Sequence, residues 1–341
     1  MQTTHKRTNS LLALAALVIL SVTALAADPG QAYPPQSEAS DDKAGSLLIY
    51  NIYSSNAVSR SLEDTRINIT NTSTGSPAFV HLFFVEGATC SVSDSYVCLT
   101  EAQTASFLTS DIDPGVAGYL IAVAVDGVTG CPRSFNFLIG DLLARFSTGH
   151  KVNLGAVAFS ALYDGVLPGC NGNSATATIV FNGTTDYNVL PRALAFDNIP
   201  ARASANDTLL ILNRIGGDLA SKADTLGSIF GILYDDASKA SSFSFTAGSC
   251  QFRSSLTNSF PRTTPRIDQL IPAGRSGWMK LWLSSEAGLL GAMIIWNPNV
   301  DADADAFNGG HNLHRLTAAT NAGNGLNTFT MPVFPPNCSS L

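Results

Sequence analysis

Apolar and polar residues alternate along this chain over short segments, which is the pattern of β-strands and not of helices. From residue 45 to residue 139, such segments follow one another closely, and clusters of Gly, Pro, Asn, Asp and Ser separate them. The segment FVHLFFV at 79–85 is apolar on both faces, so we expect other elements to cover it. Short strands divided by turn signals are typical of an antiparallel β-sandwich.

A tight turn followed by a strand organises each half of the chain, first at 111–125 and again at 270–283. Pro114 presets φ for this turn, and Gly115 can adopt the positive φ that the turn needs. Corresponding residues lie 159 positions apart: Gly115 and Gly274, Gly118 and Gly277, Tyr119 and Trp278. We infer an internal duplication. The sequence predicts an all-β fold of two tandem antiparallel immunoglobulin-like β-sandwich domains related by that duplication.

The N-terminal residues have the three regions of a secretory signal peptide. Basic residues at 5–7 precede an apolar run at 11–22, and Ala24-Leu25-Ala26 supplies the small-residue cleavage signal. The predicted segments are a signal peptide at 1–26, a flexible leader at 27–44, a first sandwich at 45–170, a linker or connecting strand at 171–190, and a second sandwich at 191–341.

Composition favours an exported protein that does not bind nucleic acid. Only 13% of residues are charged, and removal of 1–26 leaves 17 Lys and Arg against 26 Asp and Glu, a net charge of −9. Phosphate backbones would be repelled by this balance. Beyond the signal peptide, the apolar runs are of strand length, so we expect no membrane span after cleavage.

The six cysteines behind a predicted signal peptide indicate disulfides. No two of them have C-x-x-C spacing, which disfavours a zinc or redox site built on cysteine. The repeat suggests how they pair, since the second half holds only two cysteines. The predicted pairs are Cys250 with Cys338, Cys90 with Cys170, and Cys98 with Cys131.

The turn motif Pro114-Gly115-x-x-Gly118-Tyr119 and the segment Gly149-His150-x-x-x-Leu154 carry a resemblance. Together with the strand order, they resemble a group of uncharacterised secreted bacterial proteins with tandem immunoglobulin-like β-sandwich domains. No activity is attached to that group, so the resemblance implies fold and export only.

The candidate binding site is the strand that begins at Trp278. Trp278, Lys280 and Trp282 share one face of this strand, and Met279 and Leu281 share the other. Exposed indole rings could stack on sugar rings or anchor a protein partner. The alternative is that both tryptophans pack against a covering element.

The candidate metal site is the acidic run Asp301, Asp303 and Asp305, which has the D-x-D-x-D spacing that opens a calcium loop. The remainder of that loop pattern is missing, because Ala306 replaces its glycine and Asn312 its bidentate glutamate. Calcium is therefore the only cofactor that the sequence suggests, and a solvated acidic loop is the alternative.

Other polar residues have structural interpretations. His311 and His314 have H-x-x-H spacing, which zinc accepts, but no glutamate accompanies them as in a metalloprotease helix, so we interpret them as part of a turn. His81 lies in an apolar strand and is interpreted as a hydrogen-bonded core histidine.

A basic segment could meet an acidic polysaccharide or be a solvated loop; its residues are Arg253, Arg262, Arg266 and Arg275.

No nucleophile, phosphate-binding or paired-carboxylate motif is recognisable in the sequence. The sequence therefore favours a secreted or cell-surface, non-enzymatic protein with a structural, adhesive or binding role. Its partners would be a glycan or another protein at the cell surface, or further copies of itself through edge strands. The alternative is a secreted carbohydrate-active or other hydrolase whose residues converge only in the fold.

Overall fold

The computed structural model describes residues 38–301, 304–319 and 325–338, and the predicted signal peptide lies outside these residues. Within them, the chain forms five small β-sheets. Two one-turn helices and a 3₁₀ turn accompany the sheets: α1 (Thr109–Ile112), α2 (Ile267–Leu270) and Arg202–Ser204. None of the described helices has the length and apolar character needed to cross a bilayer.

The first half contributes two sheets whose strands are interleaved along the chain. Sheet I has the strand order β4-β3-β6-β1-β9, and sheet II has the order β5-β2-β7-β8. Their bounds are β1 (Leu47–Ser54), β2 (Asp64–Asn71), β3 (Ala78–Glu86), β4 (Val92–Leu99), β5 (Thr104–Leu108), β6 (Ala117–Val125), β7 (Leu138–Arg145), β8 (Lys151–Gly155) and β9 (Val157–Phe159).

The second half contributes two sheets with a corresponding strand order. Sheet III has the order β16-β15-β18-β11-β21, and sheet IV has the order β17-β12-β19-β20. Their bounds are β11 (Pro191–Pro200), β12 (Asp207–Arg214), β15 (Gly227–Asp235), β16 (Ala240–Ala247), β17 (Gln251–Ser255), β18 (Ser276–Leu283), β19 (Leu289–Trp296), β20 (Gly309–Asn312) and β21 (His314–Ala318).

Sheet V has no counterpart in either set, and its order is β10-β22-β13-β14. It joins the predicted connecting segment to the C-terminal part of the chain, since β10 pairs with β22. Its bounds are β10 (Thr176–Val180), β13 (Gly217–Asp218), β14 (Lys222–Ala223) and β22 (Thr328–Pro332).

The prediction of two tandem immunoglobulin-like sandwiches is wrong. Five small sheets pack around one another in a propeller-like arrangement. The first two strands of an immunoglobulin domain share one sheet, whereas β1 and β2 lie in different sheets.

Sheet I is buried on both faces. Leu47 packs in one core with sheet V, and Leu48 packs in another with sheets II and IV. Alternation predicts strands, but it does not state which sheet covers each face.

A third core lies between sheets III and IV. It takes Met279, Leu281 and Leu283 from the inner face of β18 and Leu210 and Leu212 from β12, all of them buried. The inner face of β18 is the one that alternation predicts. Burial of such side chains contributes about 1.5–3 kcal/mol each to folding.

The prediction of a flexible leader fails for its described part, residues 38–44. Ala39 is buried, and the backbone groups of Ser40 exchange hydrogen bonds of 2.7 and 3.1 Å with Ala158. Lys43 donates to the side-chain oxygen of Asn188 at 2.8 Å. This segment therefore packs against sheet I and the connecting segment.

The disulfides form, but the predicted pairing is wrong. Cys98 pairs with Cys338, and Cys131 pairs with Cys170, at sequence separations of 240 and 39. The two remaining cysteines, Cys90 and Cys250, are free, buried and hydrogen-bonded to each other. The predicted pairing requires each half to close its own bridges, but the equivalent cysteines of the two halves, Cys90 and Cys250, meet in the shared core.

Candidate functional site

The outer face of sheet III carries two cross-strand aromatic pairs. β15 and β18 are antiparallel, and their register places Tyr234 opposite Trp278 and Phe230 opposite Trp282. The Tyr234 and Trp278 rings are stacked, with centroids 4.4 Å apart and planes 8° apart. The Phe230 and Trp282 centroids are 6.4 Å apart. Such pairs stabilise a sheet by about 0.2–1 kcal/mol each.

Lys280 lies between these pairs, opposite Ile232. It is half-buried, and burial lowers the pKa of its ammonium group. On the neighbouring strand β16, Ser242 faces Ile232 and Ser244 faces Phe230, and both serines are exposed. We call this surface the aromatic face; it consists of Phe230, Ile232, Tyr234, Ser242, Ser244, Trp278, Lys280 and Trp282.

The two tryptophans differ in exposure. The exposed fraction of Trp278 is 37%, while that of Trp282 is 9%. Trp278 is therefore exposed, as a binding platform requires, whereas Trp282 is packed, as the alternative interpretation states.

A β-bulge borders the aromatic face. Along β11, Phe196 pairs with Met279 and Ile199 pairs with Gly277, so two residues of β11 lie across from Trp278 alone. These residues are Asp197 and Asn198, and Asn198 has a positive φ of 47°. An extra residue of this kind redirects side chains at a sheet edge.

His311 and His314 converge on Asp197 although they belong to different sheets. His311 lies on β20 of sheet IV and His314 on β21 of sheet III, with buried Leu313 between them. The Nε2 atoms of His311 and His314 lie 3.0 and 3.3 Å from Oδ1 of Asp197. We call this group the His-Asp triad; one ligand atom from each of its residues lies within 4.8 Å of the others.

Hydrogen bonding orients one imidazole of the triad. Nδ1 of His311 lies 2.7 Å from the carbonyl oxygen of Asn312, and a carbonyl can only accept, so Nδ1 carries the proton. The lone pair of a neutral ring is then on Nε2, which faces Asp197. Oδ1 of Asp197 is shielded from solvent and has no aligned hydrogen-bond donor.

Two of the three residues of the predicted calcium site, Asp301 and Asp305, belong to the part of the chain that the structure describes. Asp301 and Asp305 are exposed, and Asp303 lies outside the described residues. The backbone carbonyl of Asp305 accepts a hydrogen bond of 2.9 Å from Asn206. Calcium binding by this loop stays a prediction.

The predicted basic segment does not form one patch. Arg262 and Arg266 line a surface pocket of about 680 Å³ together with Arg202. Arg275 instead makes an ion pair with Asp236, and the guanidinium of Arg253 lies 4.6 Å from the ring centre of Phe146. Of the four predicted arginines, only Arg262 and Arg266 therefore share one surface, where Arg202 joins them.

The interpretation of His81 as a core histidine is confirmed. The residue is fully buried, and its Nε2 lies 2.8 Å from Oδ2 of Asp94. Its ring stacks on Tyr96 with centroids 4.2 Å apart.

Sequence reasoning missed Asp197 as a partner of the two histidines. The H-x-x-H spacing was visible, but the carboxylate comes from a strand that is distant in sequence. Comparison of the chain with protein-family models, with curated proteins and with solved structures gave no match.

Proposed function

We propose that this chain is an exported, non-enzymatic binding protein that holds a glycan on the aromatic face of sheet III. The observation that carries the proposal is the stacked pair of exposed Trp278 and half-buried Tyr234. The apolar faces of sugar rings stack on indole and phenol rings, and such rings lose little conformational entropy on binding.

The polar groups around this pair suit a sugar ring. Lys280 supplies donors, and the exposed hydroxyls of Ser242 and Ser244 supply both donors and acceptors along the neighbouring strand. Specific binding sites combine an apolar surface with a few polar groups that fix orientation. The aromatic face has this composition.

Export is supported by the two disulfides and by the predicted signal peptide. Disulfides persist in oxidising compartments and are rare in the cytosol. A cell-surface or secreted location would also place the aromatic face where glycans are abundant.

The test is a glycan array probed with the purified protein, together with three variants. We expect Trp278→Ala to weaken binding of the best glycan about tenfold or more, which corresponds to about 1.4 kcal/mol, and to keep the fold. Trp282→Ala should mainly lower the unfolding temperature, because Trp282 is buried. The matched control is Phe137→Ala, which removes a half-exposed ring from another surface and should leave binding unchanged.

Two outcomes would overturn the proposal. One is the absence of any glycan bound by the native protein. The other is binding that Trp278→Ala leaves unchanged, because the glycan would then lie elsewhere.

A further inference from the structure

We propose that Asp197, His311 and His314 bind a divalent transition-metal ion of the zinc type. This inference is independent of glycan binding. It rests on the geometry of three side chains and on the chemistry of their ligand atoms.

The distances fit such an ion. Zinc binds imidazole nitrogen at about 2.0–2.1 Å and carboxylate oxygen at about 2.0–2.2 Å, so neighbouring ligand atoms of a tetrahedral site lie roughly 3.3 Å apart. Nε2 of His311 and Nε2 of His314 lie 3.0 and 3.3 Å from Oδ1 of Asp197. One ion could therefore contact all three atoms after small rotamer adjustments.

An ordinary ion pair explains the contacts less well. In a hydrogen-bonded pair, an imidazole N–H would point at the carboxylate oxygen, yet Oδ1 of Asp197 is shielded from solvent and has no aligned donor. The carbonyl of Asn312 accepts the Nδ1 proton of His311 and thereby presents the Nε2 lone pair. Metal-ligating histidines commonly donate their second nitrogen in this way.

The ligand set selects the class of metal. Imidazole nitrogen suits zinc and its first-row neighbours, whereas calcium and magnesium require mainly oxygen ligands. Three protein ligands leave one tetrahedral position for water or another ligand. Because Asp197 lies across from Trp278, that position borders the aromatic face.

The test is titration of the purified, chelator-treated protein with ZnCl₂ by isothermal calorimetry. We expect one zinc per chain with a micromolar or lower Kd. Asp197→Asn and His314→Ala should each weaken it at least about tenfold, in line with the effect of removing groups that support a metal site. A second readout is cobalt titration, in which a three-ligand site gives a visible ligand-field absorption that both variants lose.

The matched control is Asp94→Asn, which removes a carboxylate from a single histidine at another place in the fold. It should bind zinc like the unaltered protein. CaCl₂ and MgCl₂ should give no heat at this site. Circular dichroism of every variant separates loss of metal binding from loss of folding.

The inference is overturned if the unaltered protein binds no zinc. It is also overturned if Asp197→Asn and His314→Ala keep the fold and bind zinc as tightly as the control. Neither result bears on glycan binding when the array is run in the presence of chelator.

Discussion

The side-chain amide of Asn51 donates a hydrogen bond of 2.8 Å to the side-chain oxygen of Asn312, and both residues are buried. Asn51 lies on β1 in the first half, and Asn312 ends β20 in the second. The amide of Asn312 in turn donates to Asp41 and to the carbonyl of Gly155. Since the carbonyl of Asn312 also accepts from His311, a buried polar network connects the interior with the His-Asp triad.

Two further amides complete this network. Asn213 donates to the backbone carbonyl of Asn51 at 2.8 Å, and Gln251 donates to the side-chain oxygen of Asn213 at 2.8 Å. Networks of this kind stabilise a fold when every member is satisfied, and they are costly when one partner is removed.

We expect Asn51→Leu to lower the free energy of unfolding by about 3 kcal/mol. The substitution leaves the side-chain oxygen of Asn312 without its donor, and an unsatisfied buried group costs about 1–3 kcal/mol. It also removes one of the two hydrogen bonds to the carbonyl of Gly291, which keeps the backbone N–H of Leu313 at 2.9 Å, and a lost hydrogen bond of this kind costs about 0.5–1.5 kcal/mol. Urea denaturation followed by tryptophan fluorescence measures the change. Asn173→Leu, at an exposed position, is the control and should shift stability by less than about 0.5 kcal/mol. Equal stability of the two variants would contradict this account.

The strands were predictable from the sequence, but their partners were not. On β18, the alternation of Met279, Lys280 and Leu281 correctly separates an inner face from an outer face. On β1, all eight residues are buried, so the pattern indicates a strand and a covered surface. It does not indicate that sheet V covers one side and sheets II and IV the other. Those contacts join residues that are far apart in sequence, and local alternation carries no information about them.

The candidate site was predictable only in part, for a similar reason. Trp278 and Trp282 are visible as one face of a strand, but their different exposure depends on what surrounds each ring. His311 and His314 are visible as a spaced pair. Asp197 joins them from the bulge in β11, which the sequence does not reveal. The pairing of the cysteines failed because Cys90 and Cys250, matched by the repeat, contact each other.

Loss of the disulfide Cys98–Cys338 should destabilise the protein more than loss of Cys131–Cys170. The entropy that a disulfide removes from the unfolded chain grows with the logarithm of the number of residues in the loop that it closes. The sequence separations of the two bridges are 240 and 39 residues. We expect costs of about 5 kcal/mol for Cys98→Ser/Cys338→Ser and about 4 kcal/mol for Cys131→Ser/Cys170→Ser. The midpoints of urea denaturation provide the comparison. Peptide mapping without reduction checks the pairing itself, and a peptide that joins Cys250 to Cys338 would contradict it.

Stability should fall as the pH decreases from about 7.5 to 5.5, and His81 should account for part of the fall. Burial lowers the pKa of His81 in the folded protein, and the carboxylate of Asp94 only partly opposes this effect. The unfolded chain takes up its proton near pH 6.5, so it binds more protons than the folded state below that pH. Stability is therefore present above about pH 6.5 and is lost as the pH falls toward the folded pKa. His150 acts in the same direction, because burial also lowers its pKa.

The variant His81→Gln tests this assignment, because its amide keeps a donor for Asp94 and does not titrate. The free energy of unfolding of the variant should depend less steeply on pH between 7.5 and 5.5 than that of the unaltered protein. His81→Gln/His150→Gln should flatten the profile further. Parallel profiles for all three proteins would assign the pH dependence to other groups.

The thiols of Cys90 and Cys250 should be unreactive in the folded protein and reactive after unfolding. Both are buried, and burial, followed by the hydrogen bond with Cys90, raises the pKa of Cys250 far above its usual range. Sγ of Cys250 also donates to the carbonyl oxygen of Glu86 at 3.2 Å. Because the thiolate is the reactive form, a disulfide reagent should release almost no chromophore from native protein and two equivalents per chain in denaturant. Cys90→Ser should reduce the second value to one. No thiol in denaturant would mean that these neighbouring cysteines are joined in a third bridge across the shared core.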